Sequence, residues 1–150
     1  MQIPVAQPGK TRIGWIGTGV MGRSMAGRLR DAGFGIVLTT RSRARAEGLL
    51  ERGCRWAETP AEVAAAADVV FVMVGHPSDV REVTLGPQGV LSAIRPGCTL
   101  VDHTTSSPAL AVEVEAARLA ERAARDALDD LDRTASRDAI PGVTWFEGGQ

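Results

Sequence analysis

The sequence has little of what marks a highly charged, membrane-spanning or secreted protein. Its 17 basic and 18 acidic side chains leave a formal net charge of −1, so charge favours neither nucleic acid nor a membrane surface as a partner. No apolar run approaches the roughly 18 residues of a membrane span, and residues 1–10 lack the regions of a secretory signal peptide. These absences favour a soluble, cytoplasmic protein with a small-molecule ligand.

Cysteine and histidine are also scarce. Cys54 and Cys98 lie far apart without a CxxC spacing, which indicates reduced thiols and gives no reason to expect a disulfide or a metal site. His76 and His103 fall in predicted loops near the expected ligand crevice. Neither has a partner carboxylate or a metal-ligand spacing in the sequence, so we interpret both as loop residues without a general-base role.

Short apolar runs alternate with helical patterns along the chain. The predicted strands span residues 12–16, 35–40, 54–56, 68–74 and 99–102. The predicted helices lie within residues 21–32, 44–52, 60–67, 79–83, 86–94 and 108–131. Because alternating strands and helices need crossover connections, we predict a doubly wound α/β fold, with a mainly parallel sheet and helices on both faces.

A glycine-rich turn separates the first predicted strand from the first predicted helix. Gly17, Gly19 and Gly22 spell GxGxxG there, the context in which this pattern indicates a Rossmann-type dinucleotide site. Gly17 permits the tight turn, Gly19 lets a pyrophosphate approach the backbone, and Gly22 lets the helix pack closely on the strand. The helix N-terminus then favours the phosphates. Thr18 and Val20 complete the predicted cofactor-binding turn, for which the alternative is an incidental glycine-rich turn.

The end of the second predicted strand carries a second cofactor signal. An NAD-specific domain places an acidic side chain there for the ribose hydroxyls, and this sequence has none. Arg41 and Ser42 instead offer a guanidinium and a hydroxyl to a 2′-phosphate. We therefore expect NADP as the cofactor, with NAD as the alternative. Arg43 and Arg45 are interpreted as the solvated start of a helix, which is also the alternative for Arg41.

Three longer motifs resemble the β-hydroxyacid dehydrogenase family. They are GWIGTGVMG at residues 14–22, FVMV at 71–74 leading to Pro77, and DHTTSSP at 102–108. The family includes 3-hydroxyisobutyrate dehydrogenases, tartronate semialdehyde reductases and the cofactor domain of 6-phosphogluconate dehydrogenases. Together the motifs are far more specific than GxGxxG alone.

The resemblance implies further contacts with cofactor and substrate. It places Met21 beside the cofactor and Val80 near the nicotinamide ribose. It also implies that this ribose lies over the turn formed by Val74, Gly75, His76 and Pro77. The family commonly has aspartate, any residue, serine and threonine where this chain has residues 102–105, and the serine position contacts substrate. Thr104 is thus the predicted substrate-binding residue and Thr105 a cofactor-binding one, the alternative for Thr104 being a cap on the following helix.

The resemblance also implies that parts of the family enzyme are missing. In complete members, a Pro-Val-Ser-Gly-Gly substrate loop and an all-helical domain with a catalytic lysine follow the cofactor domain. Residues 130–150 depart from that pattern, and the only lysine, Lys10, precedes the first predicted strand. No catalytic residue can be assigned. We expect a leader at 1–10, an NAD(P)-binding domain at 11–131 and a divergent tail at 132–150.

Two classes of function follow from these expectations. The first is an NADP-dependent oxidoreductase that transfers hydride between NADP(H) and a β-hydroxyacid or its semialdehyde, present as its cofactor domain. The alternative is a non-catalytic NADP-binding module or a truncated, inactive fragment. A homo-oligomer would need a surface within this chain, such as the long final helix.

Overall fold

A five-stranded parallel sheet forms the centre of the protein in the computed structural model, which describes residues 5–137. The strands are β1 (Arg12–Ile16), β2 (Gly35–Thr39), β3 (Arg55–Trp56), β4 (Val69–Val72) and β5 (Thr99–Asp102). Their order is β3-β2-β1-β4-β5, and every neighbouring pair is parallel. The predicted doubly wound α/β fold is confirmed. The order reverses between β1 and β4, and such folds bind ligands at the carboxyl ends of those strands.

Helices follow the strands in the expected alternation. They are α1 (Val20–Asp31), α2 (Glu47–Glu51), α3 (Pro60–Ala66), α4 (Pro77–Leu85) and α5 (Pro108–Arg137), with 3₁₀ turns at Arg43–Ala46 and Val90–Ser92. None of these helices is both long and apolar enough to cross a membrane.

Two helices are longer than the sequence predicted, whereas the helices predicted at 44–52 and within 86–94 are partly or wholly 3₁₀ turns. α4 has nine residues, whereas the sequence predicted only one or two turns at 79–83. Pro77 opens this helix, and the Asp79 carboxylate accepts a hydrogen bond from the His76 amide at 3.2 Å, which closes the first turn. α5 continues to Arg137, beyond the helix end predicted at residue 131, and the domain boundary proposed there stays a prediction. Most of the predicted tail, residues 138–150, lies outside the described residues.

The core occupies both faces of the sheet because successive strand residues point to opposite sides. On one face, Trp15 and Leu38 pack with residues of α1 and α2. On the other, Val70 and Val72 pack with Val63 of α3 and with the second 3₁₀ turn. All five of these side chains are fully buried. The sheet therefore holds the carboxyl ends of β1, β2 and β4 in fixed positions.

A carboxylate joins the starts of β1 and β4, at the edge of the sheet away from the carboxyl ends. Asp68 Oδ2 accepts from the Arg12 amide at 2.9 Å, and Oδ1 accepts from the Arg12 guanidinium at 2.7 Å and from the Arg95 guanidinium at 3.0 Å. The hydrogen bonds from Arg12 hold the pKa of Asp68 well below its ordinary value of 3.8. The ionised carboxylate thus stabilises the folded chain.

We predict that Asp68→Asn lowers the unfolding midpoint at pH 7 by about 3–5 °C, because the amide keeps one acceptor but loses the charge. Since the pKa of Asp68 is lower in the folded chain than in the unfolded one, the stabilisation is present above pH 3.8 and declines as the pH falls below it. Thermal unfolding of both chains between pH 7 and pH 2.5 measures this. The two curves should converge in acid.

The control is Glu115→Gln, which breaks the exposed pair between Glu115 and Arg118 on α5. This change should move the midpoint by less than about 2 °C. A difference between the wild type and Asp68→Asn that stays constant down to pH 2.5 would contradict the role given to the Asp68 charge.

Candidate functional site

A cleft of about 1100 Å³ opens at the carboxyl ends of β1, β2 and β4. Its walls are the β1–α1 turn, the loop after β2, and the segment from the end of β4 into α4. The predicted cofactor-binding residues in its lining are Gly17, Thr18, Gly19, Val20, Met21, Gly22, Arg41, Ser42, Val74, Gly75 and His76. Three segments far apart in sequence thus meet in one cleft, at the strand reversal where a doubly wound sheet binds its ligand.

Four predicted residues lie outside the lining of this cleft. They are Pro77, Val80, Thr104 and Thr105. Val80 is a core residue with only 2% of its surface exposed, and Pro77 is the first residue of α4. The two threonines belong to the neighbouring loop after β5.

Two glycines of the β1–α1 turn are required by the protein's own packing. Gly17 has a φ of +97°, and a Cβ on it would lie 2.1 Å from the carbonyl oxygen of Met73. A Cβ on Gly22 would lie 2.1 Å from the carbonyl oxygen of Gly17. The Trp15 indole N–H donates to that same oxygen at 2.8 Å. A side chain at residue 17 would therefore push the turn away from the end of β4. A side chain at residue 22 would push α1 away from the turn.

Gly19 has a different environment. Its φ of −64° is open to any residue, and no described atom lies within 4 Å of a Cβ placed on it. Packing within the protein therefore does not explain the glycine, whereas close approach of a ligand to the backbone would. Gly19 is also the N-cap of α1, and no side chain caps this helix. The unpaired amides of its first turn favour an anion.

A buried hydroxyl in the turn also lacks a partner. Thr18 is 2% exposed and lines the cleft, and its Oγ1 has no hydrogen-bond partner among the described residues. A buried hydroxyl normally finds one. Together with the space at Gly19, this unpaired hydroxyl fits a ligand that brings acceptor oxygens to the turn. The residues present therefore fit the pyrophosphate of a dinucleotide.

The rim of the turn is apolar. The side chains of Val20 and Met21 are 78% and 58% exposed, although both residues are large and hydrophobic. They adjoin the polar turn and belong to the cleft lining. They offer an apolar surface beside the open space at Gly19, and the contact of Met21 with the cofactor stays a prediction.

The loop after β2 brings three arginines near the cleft. Arg41 lines the cleft and pairs with Asp79 of α4, while its side chain remains 76% exposed. The Arg43 guanidinium lies 5.3 Å from the centre of the Trp56 ring and makes a cation–π contact with it. The sequence had predicted only a solvated side chain at this position. Arg45 is exposed, as expected for a solvated residue, but it also belongs to the cleft lining.

Sequence reasoning missed Asp79, which lines the cleft together with the carboxylate residues Glu58 and Glu82. Asp79 lies three residues after the N-cap His76, a position typical of capping, and that signal was available in the sequence. Its pairing with Arg41 was not, because the two residues are 38 positions apart and belong to different elements. The cleft therefore contains a negative charge beside the guanidinium predicted to hold a phosphate.

The loop after β5 is hydrogen-bonded to the turn after β4, a contact that the sequence did not predict. Thr104 Oγ1 accepts a hydrogen bond from the Val74 amide at 3.0 Å, and the Thr104 amide donates to Asp102 Oδ1 at 2.8 Å. The cap of α5 is Ser107, whose Oγ accepts from the Leu110 amide at 3.2 Å. Thr104 therefore holds the turn after β4 in place and does not cap the helix.

The two histidines differ in their surroundings. His103 stacks on Phe71 with ring centroids 5.6 Å apart, and Phe71 stacks on Trp15 at 5.4 Å. His76 lines the cleft at the start of α4, where its amide donates to Asp79. Neither histidine side chain forms an ion pair among the described residues.

The parallel sheet, the close-packed glycines of the β1–α1 turn and the uncapped helix facing a cleft define a dinucleotide-binding domain of the Rossmann type. Residues 12–129 match the family described as the NAD binding domain of 6-phosphogluconate dehydrogenase, and the chain belongs to this family. The resemblance inferred from the three sequence motifs is thereby confirmed.

Known proteins and solved structures share this domain. The chain is 50% identical over 111 residues to the probable 3-hydroxyisobutyrate dehydrogenase-like 1, mitochondrial, of Arabidopsis thaliana, covering 73% of this chain but only 33% of that protein. The solved structure of Psf3 in complex with NADP+ and 2-OPP is 30% identical with a TM-score of 0.68, covering 73% and 39% of the two chains. A variant imine reductase from Myxococcus stipitatus in complex with NAD+ is 29% identical with a TM-score of 0.66, covering 75% and 38%.

The hydrogen bond between Thr104 and Val74 can be tested by removing one hydroxyl. Thr104→Val should reduce the free energy of unfolding by about 1–2 kcal/mol, because it leaves the half-buried Val74 amide without its acceptor. Hydrogen exchange at the Val74 amide should become faster. Thr105→Val is the matched control, since Thr105 is exposed. Equal exchange rates at Val74 in the two variants would show that the Thr104 hydroxyl does not hold this turn.

Proposed function

We propose that this chain binds NADP(H) in preference to NAD(H) and serves as the cofactor domain of an oxidoreductase. The proposed reaction is hydride transfer between NADP(H) and a β-hydroxyacid or its semialdehyde, as in the family that the sequence resembles. The observation that carries cofactor binding is the β1–α1 turn, with empty space at Gly19 and an unpaired hydroxyl on Thr18. The chain spans about a third of the length of its Arabidopsis relative, so the activity of a whole protein is part of the proposal.

The preference for NADP rests on the loop after β2. This strand ends at Thr39 without the acidic residue that holds the ribose hydroxyls of NAD. Arg41 and Ser42 follow, and both are exposed in the cleft lining. A guanidinium matches the geometry and charge of a phosphate better than any other side chain. Similar structures hold NADP+ in one case and NAD+ in another, so the choice depends on the residues of this chain.

We assign roles to the remaining residues on the same basis. The first-turn amides of α1 and the Thr18 hydroxyl would bind the pyrophosphate, and the turn at residues 74–77 would lie beneath the nicotinamide ribose, with Val80 supporting it from the core. The bound nicotinamide would supply the hydride donor or acceptor. Thr104 uses its oxygen as an acceptor for Val74, which leaves its O–H free to donate to a substrate carbonyl or carboxylate. Thr105 is assigned to the cofactor.

A second candidate function is a non-catalytic NADP-binding module. It is favoured by the absence of a lysine in the cleft, because Lys10 precedes β1 and is not part of the lining. No other proton donor can be assigned from the matched motifs. Steady-state turnover of a β-hydroxyacid by the purified chain would exclude this alternative.

The cytoplasmic location expected from the sequence stays a prediction. The Arabidopsis relative is named as mitochondrial.

Cofactor preference can be measured by calorimetric titration of the purified chain with NADPH and with NADH. We expect NADPH to bind at least about tenfold more tightly, and Arg41→Ala to remove that advantage while changing NADH affinity by less than about twofold. Arg118→Ala, which removes an arginine from the exposed surface of α5, is the matched control and should change neither affinity. Equal affinities for the two cofactors in the wild type would contradict the proposed preference.

The pyrophosphate position can be tested with Gly19→Ala. The backbone at residue 19 accepts alanine and no described atom meets the new Cβ, so the free energy of unfolding should change by less than about 1 kcal/mol. Binding of NADPH and NADH should weaken equally, by at least about tenfold, because the Cβ takes the place of the phosphates.

The matched control for Gly19→Ala is Gly48→Ala in α2, where a Cβ also meets no described atom. This change should alter neither the fold nor the affinities. If Gly19→Ala bound both cofactors like the wild type, the pyrophosphate would not lie against this turn.

A further inference from the structure

One ion pair spans the cleft from wall to wall. Arg41 extends from the loop after β2, and Asp79 belongs to the first turn of α4. Both residues line the cleft, and an Arg41 guanidinium nitrogen contacts Asp79 Oδ1. A ligand that fills this part of the cleft would therefore contact Arg41 and Asp79.

Asp79 and Arg41 differ in how firmly the surrounding structure holds their side chains. The Asp79 side chain is 13% exposed, and its second oxygen accepts from the His76 amide at 3.2 Å, so its position is fixed at the start of α4. The Arg41 side chain is 76% exposed, and no hydrogen bond other than that to Asp79 is found for its guanidinium among the described residues. The carboxylate is therefore the fixed anchor, and the guanidinium is the part that can change partners.

We propose that Asp79 is a specificity-determining residue that competes with the 2′-phosphate of the cofactor for Arg41. This inference rests on the proposed function, in which Arg41 holds that phosphate. Before the cofactor binds, the Asp79 carboxylate is paired with the Arg41 guanidinium, which is the group that would bind the 2′-phosphate. After binding, the phosphate takes its place, and Asp79 stays paired with the His76 amide. Asp79 thus limits the preference for the phosphorylated cofactor that Arg41 creates.

Two effects of Asp79 act on NADP(H) and not on NAD(H). Binding of NADP(H) breaks the ion pair between Arg41 and Asp79, whereas the ribose hydroxyls of NAD(H) leave this pair intact. The carboxylate also repels a phosphate held at Arg41, since the two lie well within a screening length of each other. The pair is largely exposed on the arginine side, so each effect is modest. Together they should weaken NADPH binding by about three- to tenfold.

Calorimetric titration of Asp79→Asn with NADPH, NADH and adenosine 2′,5′-bisphosphate tests this inference. The asparagine keeps an oxygen for the His76 amide and removes the charge. We expect NADPH and the bisphosphate to bind about three- to tenfold more tightly, with NADH within twofold of the wild type. In the Arg41→Ala background, the same substitution should change NADPH affinity by a smaller factor than in the wild type, since the ion pair no longer contributes and only the repulsion between carboxylate and phosphate remains.

The matched control is Glu113→Gln, which removes a carboxylate paired with Arg81 on the other side of α4. Neither residue of that pair lines the cleft. The control should leave all three affinities within about twofold of the wild type, which separates competition for Arg41 from a general change in net charge. Thermal midpoints of every variant are measured first, so that a loss of folding is recognised as such.

The outcomes separate this inference from the proposed function. If the wild type prefers NADPH and Arg41→Ala removes the preference, but Asp79→Asn leaves NADPH affinity unchanged or lowers it, the inference alone is overturned. If Asp79→Asn weakens NADH instead, Asp79 binds the ribose hydroxyls, which also overturns it. If the wild type shows no preference for NADPH, both the proposed cofactor preference and the inference fail.

Discussion

The close approach of the β1–α1 turn to the end of β4 is the constraint on which the rest of the site depends. Gly17 passes so near the Met73 carbonyl, and Gly22 so near the Gly17 carbonyl, that neither position has room for a Cβ. The Trp15 indole fixes the same carbonyl of Gly17 from the core. This packing fixes where α1 begins and leaves its uncapped N-terminus facing the cleft. The site is thus made mainly by backbone groups, and it needs no basic side chain to attract a phosphate.

In the proposed function, charged side chains select the form of the cofactor. The whole chain is nearly neutral, so its net charge gives no reason to prefer one dinucleotide, and the proposed selection rests on local pairs. Arg41 and Asp79 form one such pair inside the cleft, whereas Asp68 and its arginines form another at the opposite edge of the sheet. In our proposal, the first pair exchanges its carboxylate for the 2′-phosphate of the cofactor. The second joins strand starts and contributes to the stability of the folded chain.

The sequence allowed the fold and the centre of the site to be predicted, because both depend on local patterns. The bounds of β1 and β5 agree with those predicted from their apolar runs, and GxGxxG was informative because a strand preceded it and a helix followed. The start of α4 at Pro77 was missed, although its cap joins residues only three positions apart and was readable in the sequence. The contacts of Arg41 and of Thr104 were also missed, because their partners lie 38 and 30 residues away. Such contacts are set by how the strand ends come together and leave no periodic signal.

The central claim is that the β1–α1 turn binds the pyrophosphate of a dinucleotide, and the most direct measurement is a map of amide chemical shifts. A titration of the isotope-labelled chain with NADPH, followed by heteronuclear NMR, reports each backbone amide separately. We predict the largest changes at the amides of residues 17–22. The amides of residues 19–22 should change from solvent to phosphate as their partner, and those of Gly17 and Thr18, which donate to Thr39 and Thr40, belong to the same turn. Saturable changes confined to other parts of the chain, with residues 17–22 unaffected, would contradict the account.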